Sequence, residues 1–78
     1  MSSLRPLHWQ VVERILLTIG FKHHRTKGSH RIYVKAGRLM HVTVPAHREI
    51  PVGTLHSIIR QTGLSREEFL SLLDRTKN

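Results

Sequence analysis

The chain has 78 residues, no cysteine, and a formal net charge of +8 from 13 Lys and Arg against five Asp and Glu. This length predicts one domain over residues 1–78, and the lack of cysteine argues against a small secreted disulfide scaffold. No apolar run approaches the ~18 residues of a membrane span, and the N-terminus lacks the apolar stretch of a secretory signal. We therefore expect a cytoplasmic protein that binds no membrane and whose basic surface binds nucleic acid or an acidic protein.

The first predicted element is a helix from about Pro6 to Ile19. Proline is tolerated in the first helical turn, and Gly20 can adopt the left-handed conformation that ends a helix. Apolar residues recur at helical spacing along this segment. They are Leu7, Val11, Val12, Ile15, Leu16 and Ile19. One face of this helix is therefore expected to pack on a core.

Three short strands are predicted next, over residues 21–26, 29–35 and 39–44. Lys27-Gly28 has the form of a two-residue hairpin loop with glycine in its second position, and Pro45 ends the third strand because it lacks a backbone N–H. Together these segments predict a three-stranded antiparallel meander with helices packed on one face.

Two helices complete the chain. One is predicted to begin near Gly53-Thr54 and to end at Gly63, and the other follows a capping box formed by Ser65 and Glu68. This last helix is expected to reach about Asp74, with residues 75–78 as a frayed tail. The predicted fold class is thus α+β, in the order α-β-β-β-α with a short C-terminal helix.

The chain contains seven histidines, which raises the question of a metal site. Zinc requires three or four convergent Cys, His or carboxylate ligands, whereas this chain has no cysteine and few acids. His23 and His24 are adjacent on a strand, so they point to opposite faces and do not readily share an ion. We expect no metal and no cofactor.

His30 is the histidine whose position favours chemistry, because it directly follows the hairpin turn. Alternation places it on the same face as Ile32 and Val34, so it is predicted at the rim of the apolar face that the helices cover. Partial desolvation there would keep the ring neutral, as a general base must be. A structural histidine that supports the turn remains the alternative.

The residues around His30 are basic. Arg25, Lys27 and Arg31 lie near it in the sequence and are candidates to hold a phosphate group. Ser29 either orients His30 or shapes the turn, and both interpretations stay open. His47, just after Pro45, is a second candidate for phosphate binding or catalysis, with a hydrogen bond that braces its loop as the alternative.

Several segments, in this order and spacing, resemble the HicA toxins, the small mRNA interferases of prokaryotic toxin–antitoxin pairs. The resemblance covers about Leu7 to Phe69. It is carried by Gly20-Phe21, Arg25-Thr26-Lys27-Gly28-Ser29-His30, Val42-Thr43-Val44-Pro45-Ala46-His47, Gly53-Thr54-Leu55 and Ile58-Ile59-Arg60-Gln61. The ordered set, rather than any one segment, makes the similarity specific.

The resemblance implies a fold like that of a double-stranded-RNA-binding domain and a ribonuclease activity that depends on His30. It also implies that a HicB-type antitoxin covers the active site, and we expect that complex to set the oligomeric state. The mechanism predicted from it is metal-independent cleavage of mRNA, with RNA contacts from Arg25, Lys27, Ser29, Arg31 and His47. An RNA-binding module of the same fold without catalytic activity is the alternative function.

Overall fold

The computed structural model describes residues 3–76 of the chain. Three helices and three strands follow one another in the predicted order. They are α1 (Trp9–Thr18), β1 (Lys22–Lys27), β2 (His30–Val34), β3 (Val42–Pro45), α2 (Val52–Thr62) and α3 (Arg66–Thr76). The strands form one antiparallel sheet in the order β1-β2-β3. The predicted α+β architecture, that of a double-stranded-RNA-binding domain, is confirmed.

Helix α1 begins at Trp9 rather than near Pro6, because the preceding residues have another role. Leu7 forms an isolated antiparallel bridge with Ile50, and this pairing requires extended backbone. His8 is the N-cap of the helix, and its Nδ1 accepts a hydrogen bond from the Gln10 N–H at 3.1 Å. The predicted end is confirmed, since Gly20, which follows the C-cap residue Ile19, has a φ of +101°.

The β1–β2 hairpin differs in detail from the prediction. Its loop is Gly28-Ser29, so glycine occupies the first loop position and not the second. Gly28 has a φ of +61°, which residues with a side chain adopt only with strain. The register shifts at a β-bulge between His23 and Arg25, and the sheet ends where Lys27 pairs with His30. β3 is shorter than predicted and begins at Val42.

The helices cover the opposite face of β2 from the one predicted. Tyr33 is fully buried, and it pairs with Val42, which is also fully buried. Ile32, which shares its face with His30, is only partly buried. The prediction that His30 lies at the rim of the covered apolar face is therefore wrong, and His30 lies exposed on the open face. Tyr33 occupies the covered face because its ring fills the core while its hydroxyl is hydrogen-bonded.

Helix α2 lies along the edge of β3 that has no strand partner. The side-chain Oε1 of Gln61 accepts a hydrogen bond from the Thr43 backbone N–H at 2.9 Å. The guanidinium of Arg38 donates to the Gln61 backbone carbonyl, also at 2.9 Å. The first bond satisfies the Thr43 N–H, an edge group that could otherwise pair with another strand. Together the two bonds hold α2 beside the sheet.

The ends of the last two helices agree closely with the sequence. α2 ends at Thr62 and is capped by Gly63, whose φ is +82°. The capping box before α3 is confirmed by hydrogen bonds from the Ser65 N–H to Glu68 at 2.8 Å and from the Glu68 N–H to Ser65 at 3.0 Å. α3 extends to Thr76, past the predicted end near Asp74. Of the predicted tail, Lys77 and Asn78 lie outside the described residues.

Apolar residues from the three helices, from β2 and β3 and from the connecting segments meet in one core between the helices and the covered face of the sheet. The largest fully buried side chains are Phe21, Tyr33, Phe69, Ile15, Leu16, Ile50, Leu55, Ile58 and Leu73. β1 contributes no buried side chain and therefore lies at the margin of this core.

Substitution of Gly28 tests the geometry of the hairpin loop. A Cβ at this position has no neighbour within 4 Å, so Gly28→Ala introduces backbone strain and no clash. We expect it to lower the free energy of unfolding by about 1–2 kcal/mol. Gly53→Ala is the matched control, because Gly53 lies in α2 without a positive φ and also has open space around it. It should raise stability by about 0.5–1 kcal/mol. Equal effects of the two substitutions in chemical denaturation would contradict the loop geometry.

Candidate active site

His30 lies where the sheet ends, beside the tight turn. It pairs with Lys27 across the hairpin and with Pro45 of β3 on its other side. The ladder extends one step further, because the Ala46 N–H donates to the Ser29 carbonyl at 2.7 Å. The backbone around His30 is thus fixed by strands on both sides, while its side chain is exposed.

His47 is brought close to the same end of the sheet by the loop after β3. Its own N–H donates to the Pro45 carbonyl at 2.8 Å, and its carbonyl accepts from the Trp9 N–H at 3.1 Å. Pro45 is the strand partner of His30, and His47 follows Pro45 by two residues in the chain. The loop therefore begins beside His30. The first residue of α1 therefore holds the loop, and the imidazole of His47 remains exposed.

The two histidines line one cavity of about 430 Å³. It lies between the end of β3, the loop that follows and one side of α2. The other lining residues are Thr43, Pro45, Pro51, Thr54, Ser57, Ile58 and Gln61. A cavity that presents two imidazoles to solvent suits acid–base chemistry on a bound molecule.

Two of the predicted RNA-binding cations share the open face with His30. Lys27 is the strand partner of His30, and Arg25 is the partner of Ile32, so both side chains project to the side on which His30 lies. Both are exposed. Ser29, also predicted to contact RNA, is one of the two loop residues, and its carbonyl accepts from Ala46. The structure thus brings Arg25, Lys27, Ser29 and His47 to the end of the sheet that carries His30.

Arg31 does not belong to this group, and its predicted role beside His30 needs correction. It lies on the covered face, where its guanidinium donates to Glu13 at 2.8 Å and to the Tyr33 hydroxyl at 3.0 Å. It also stacks on Trp9, with its central carbon 4.5 Å from the ring centre. Alternation along β2 points Arg31 and His30 to opposite faces, and α1 supplies the carboxylate that Arg31 binds.

Arg31, Tyr33 and Glu13 shift one another's pKa values. Burial of the Tyr33 ring and its hydrogen bond to Glu13 raise the pKa of Tyr33 to about 12. Partial burial disfavours the charged form of Glu13, but the hydrogen bonds from Tyr33 and Arg31 outweigh it and lower the pKa of this carboxyl. The Tyr33 hydroxyl donates to Glu13 at 2.6 Å. These contacts connect α1 to β2 on the side opposite the cavity.

Charge is unevenly distributed between the sheet and the last helix. Residues 22–45, which contain the sheet, include six Lys and Arg and no Asp or Glu. Three of the five acidic residues, Glu67, Glu68 and Asp74, belong to α3. The exposed hairpin is thus the most cationic part of the molecule, and it lies next to His30 and the cavity.

Four of the other five histidines have other surroundings. His23 and Thr26 share a hydrogen bond of 2.8 Å, and His24 at the bulge lies 6.5 Å from His41 between ring centres. His8 caps α1. Within residues 3–76, no three His or acidic side chains converge as a metal site would require.

Sequence reasoning missed the residues of α2 that line the cavity. Thr54, Ser57 and Gln61 are spaced i, i+3 and i+7, which places them on one side of the helix. This helical spacing of polar residues, next to the buried apolar stripe of α2, was the sequence pattern that could have indicated a functional side of the helix. Only the position of α2 at the edge of β3 shows that this side faces the histidines.

Comparison with known protein families agrees with this geometry. The sequence profile described as HicA toxin of bacterial toxin-antitoxin matches residues 9–64, which include the hairpin, both cavity histidines and all of α2. The chain belongs to the HicA toxin family. It is therefore a toxin of a toxin–antitoxin system. No curated protein sequence matches the chain. None of the HicA toxin's helices within the described part of the chain is long and apolar enough to span a bilayer.

Proposed function

We propose that this HicA toxin is an endoribonuclease that cleaves mRNA without a metal ion and uses His30 as its catalytic base. The observation that supports it best is that the exposed rings of His30 and His47 line one cavity beside a cationic hairpin. Two imidazoles, one to accept a proton and one to donate a proton, are sufficient for phosphodiester cleavage by acid–base chemistry.

In the proposed reaction, neutral His30 removes the proton from a ribose 2′-hydroxyl. The 2′-oxygen then forms a bond to the adjacent phosphorus, and the bond from phosphorus to the 5′-oxygen breaks. Protonated His47 gives a proton to that departing oxygen. The products are a 2′,3′-cyclic phosphate and a 5′-hydroxyl, and DNA is inert because it lacks the nucleophile.

The cations of the open face bind the phosphates of the substrate. Lys27 is adjacent to His30 across the hairpin, so its ammonium is the group best placed to offset charge on the phosphate in the transition state. Arg25, further along the same face, binds a neighbouring phosphate. Both side chains are exposed and extend from the part of the chain that lacks acidic residues.

The antitoxin that the family implies is, in this proposal, a HicB-type protein that covers the cavity. Covering it would block His30 and His47 together, because both rings line the same space. The oligomeric state of the toxin in the cell then follows from the antitoxin complex.

The experiment is incubation of the purified toxin with RNA and with DNA of the same sequence, both in excess EDTA. We expect RNA cleavage that survives chelation, fragments with cyclic phosphate and 5′-hydroxyl ends, and intact DNA. Tight RNA binding without cleavage would instead support the non-catalytic module. Cleavage that stops in EDTA would contradict the mechanism.

A further inference from the structure

Away from the two histidines, the cavity lining has a composition that suits a base better than a phosphate. Apart from the two histidines it consists of three hydroxyl side chains, one amide and three apolar residues, with no Lys, Arg, Asp or Glu. Cations bind phosphates most strongly, and apart from the histidines the nearby cations lie outside the cavity, on the hairpin. Neutral hydrogen-bonding groups among apolar side chains match a flat ring with a polar edge. The volume of about 430 Å³ is that of a small-ligand site.

Gln61 presents hydrogen-bond donors in a fixed orientation. Its Oε1 accepts from the Thr43 backbone N–H at 2.9 Å, and a backbone N–H only donates, so the oxygen and nitrogen of the amide are not interchangeable. The Nε2 hydrogens remain for another acceptor. Arg38 binds the backbone carbonyl of the same residue, which further restrains this end of α2. The donor is therefore in place before any ligand arrives.

Ser57 adds a second donor on the same side of α2. Its hydroxyl oxygen accepts from the Arg60 guanidinium at 3.3 Å, which leaves the hydroxyl hydrogen to donate elsewhere. Pro45 and Ile58, both buried, supply apolar surface between α2 and the histidines. A planar ring bound there would have apolar contacts on its face and donors along its edge.

We propose that this cavity is a nucleobase pocket, a role that rests on the proposed ribonuclease function. It takes one unpaired base next to the scissile phosphate, and Gln61 and Ser57 select among bases through acceptors on the base edge. A base within a duplex cannot enter, so the pocket restricts cleavage to single-stranded segments. The two donors favour uracil, whose edge presents two carbonyl oxygens, over adenine, whose edge presents one ring-nitrogen acceptor beside an amino group.

The first experiment measures cleavage sites in a random-sequence RNA pool by sequencing the fragment ends. Gln61→Glu keeps an oxygen for the Thr43 N–H but replaces the donors with an acceptor, so the ratio of uracil to adenine at the selected position should fall about tenfold. Gln10→Glu, on the exposed surface of α1, adds the same charge and should leave that ratio unchanged. Ser57→Ala is the second variant, and it should weaken the preference without adding charge.

The second experiment requires no cleavage. A single-stranded 2′-O-methyl oligonucleotide carrying one uracil next to a 2-aminopurine is titrated with each variant, and the fluorescence of the 2-aminopurine reports whether the uracil leaves its stack for the protein. Wild type and Gln10→Glu should give the same fluorescence change, and Gln61→Glu and Ser57→Ala should give a different one.

The outcomes separate the two proposals. Cleavage with unaltered base preference in both Gln61→Glu and Ser57→Ala would overturn the pocket and leave the ribonuclease intact. Fluorescence that depends on Gln61 and Ser57 without any RNA cleavage would support the pocket and overturn the ribonuclease. If the wild-type protein gives neither RNA cleavage nor a fluorescence change, both the pocket and the ribonuclease proposals are overturned. If Gln61→Glu fails to fold by circular dichroism, Ser57→Ala decides.

Discussion

Replacing His30 with alanine should slow RNA cleavage by about 10²–10⁴-fold, the usual contribution of a positioned general base. The side chain of His30 is exposed, and its backbone pairs on both sides through groups that alanine retains. The thermal midpoint should therefore stay close to that of the wild type, and RNA affinity, which the proposal assigns mainly to Lys27 and Arg25, should change little. Initial cleavage rates in EDTA, with circular dichroism melts of the same samples, check this.

His56→Ala is the matched control for that experiment. His56 is also an exposed histidine, but it lies on α2 outside the cavity lining. Its loss should leave the cleavage rate within a factor of about two, since surface substitutions away from such sites have small effects. Equal rates for the two variants would remove His30 from the mechanism.

The second large effect concerns the stability of the fold and comes from Arg31. Arg31→Met removes the guanidinium but keeps an aliphatic side chain, so Glu13 loses a 2.8 Å ion pair in which both side chains are 22% exposed. We expect the free energy of unfolding to fall by about 2 kcal/mol, the range for hydrogen bonds between charged groups. Lys27→Met, on the open face, should leave stability nearly unchanged and weaken RNA binding instead. Urea denaturation and RNA titration of both variants separate the two roles.

The hydrogen bonds among Glu13, Arg31 and Tyr33 make part of the free energy of unfolding depend on pH. The pKa of Glu13 is lower in the folded protein than in the unfolded chain, so its contribution to stability is present at neutral pH. This contribution is lost as the pH falls below the ordinary glutamate pKa of about 4.3 and through the lowered value. The wild type should therefore lose more stability between pH 6 and 3 than Glu13→Gln. If the free energy of unfolding of the two proteins changes in parallel with pH, the pKa of Glu13 is not lowered by its partners.

The sequence predicted the order of elements because local signals define most of their ends. Gly20 and Gly63 end helices through positive φ, and the capping box of Ser65 and Glu68 starts the last one. The start of α1 could not be read locally. The long-range bridge between Leu7 and Ile50 extends the chain where Pro6 favoured a helix.

The orientation of β2 could not be predicted from hydrophobicity alone. Ile32 and Val34 are the more apolar pair, yet Tyr33 and Arg31 face the helices. Their polar groups are satisfied only because α1 places Glu13 opposite them, a partner eighteen or twenty residues away in the chain. His30 was predicted at the rim of the covered face, and the structure instead places it exposed on the open face, where it lines the cavity.

The sequence indicated part of what surrounds His30. Arg25 and Lys27 were named because they lie near His30 in the chain, and strand pairing places both on its face, while Pro45 marked the loop that carries His47. The contribution of α2 depends on the hydrogen bond between Gln61 and Thr43, which joins residues eighteen apart and has no local signal. Long-range packing thus decides which side of α2 completes the cavity.

A single 2′-deoxynucleotide placed in an otherwise unmodified RNA tests the proposed chemistry most directly. The substitution removes one hydroxyl at one preferred cleavage site and leaves the phosphates and bases unchanged. With the toxin in EDTA, cutting should vanish at the bond that follows the modified sugar and continue at every other site. Persistent cleavage at that bond would mean that the attacking group is not the neighbouring 2′-oxygen. It would contradict the proposal that His30 removes the proton from that hydroxyl.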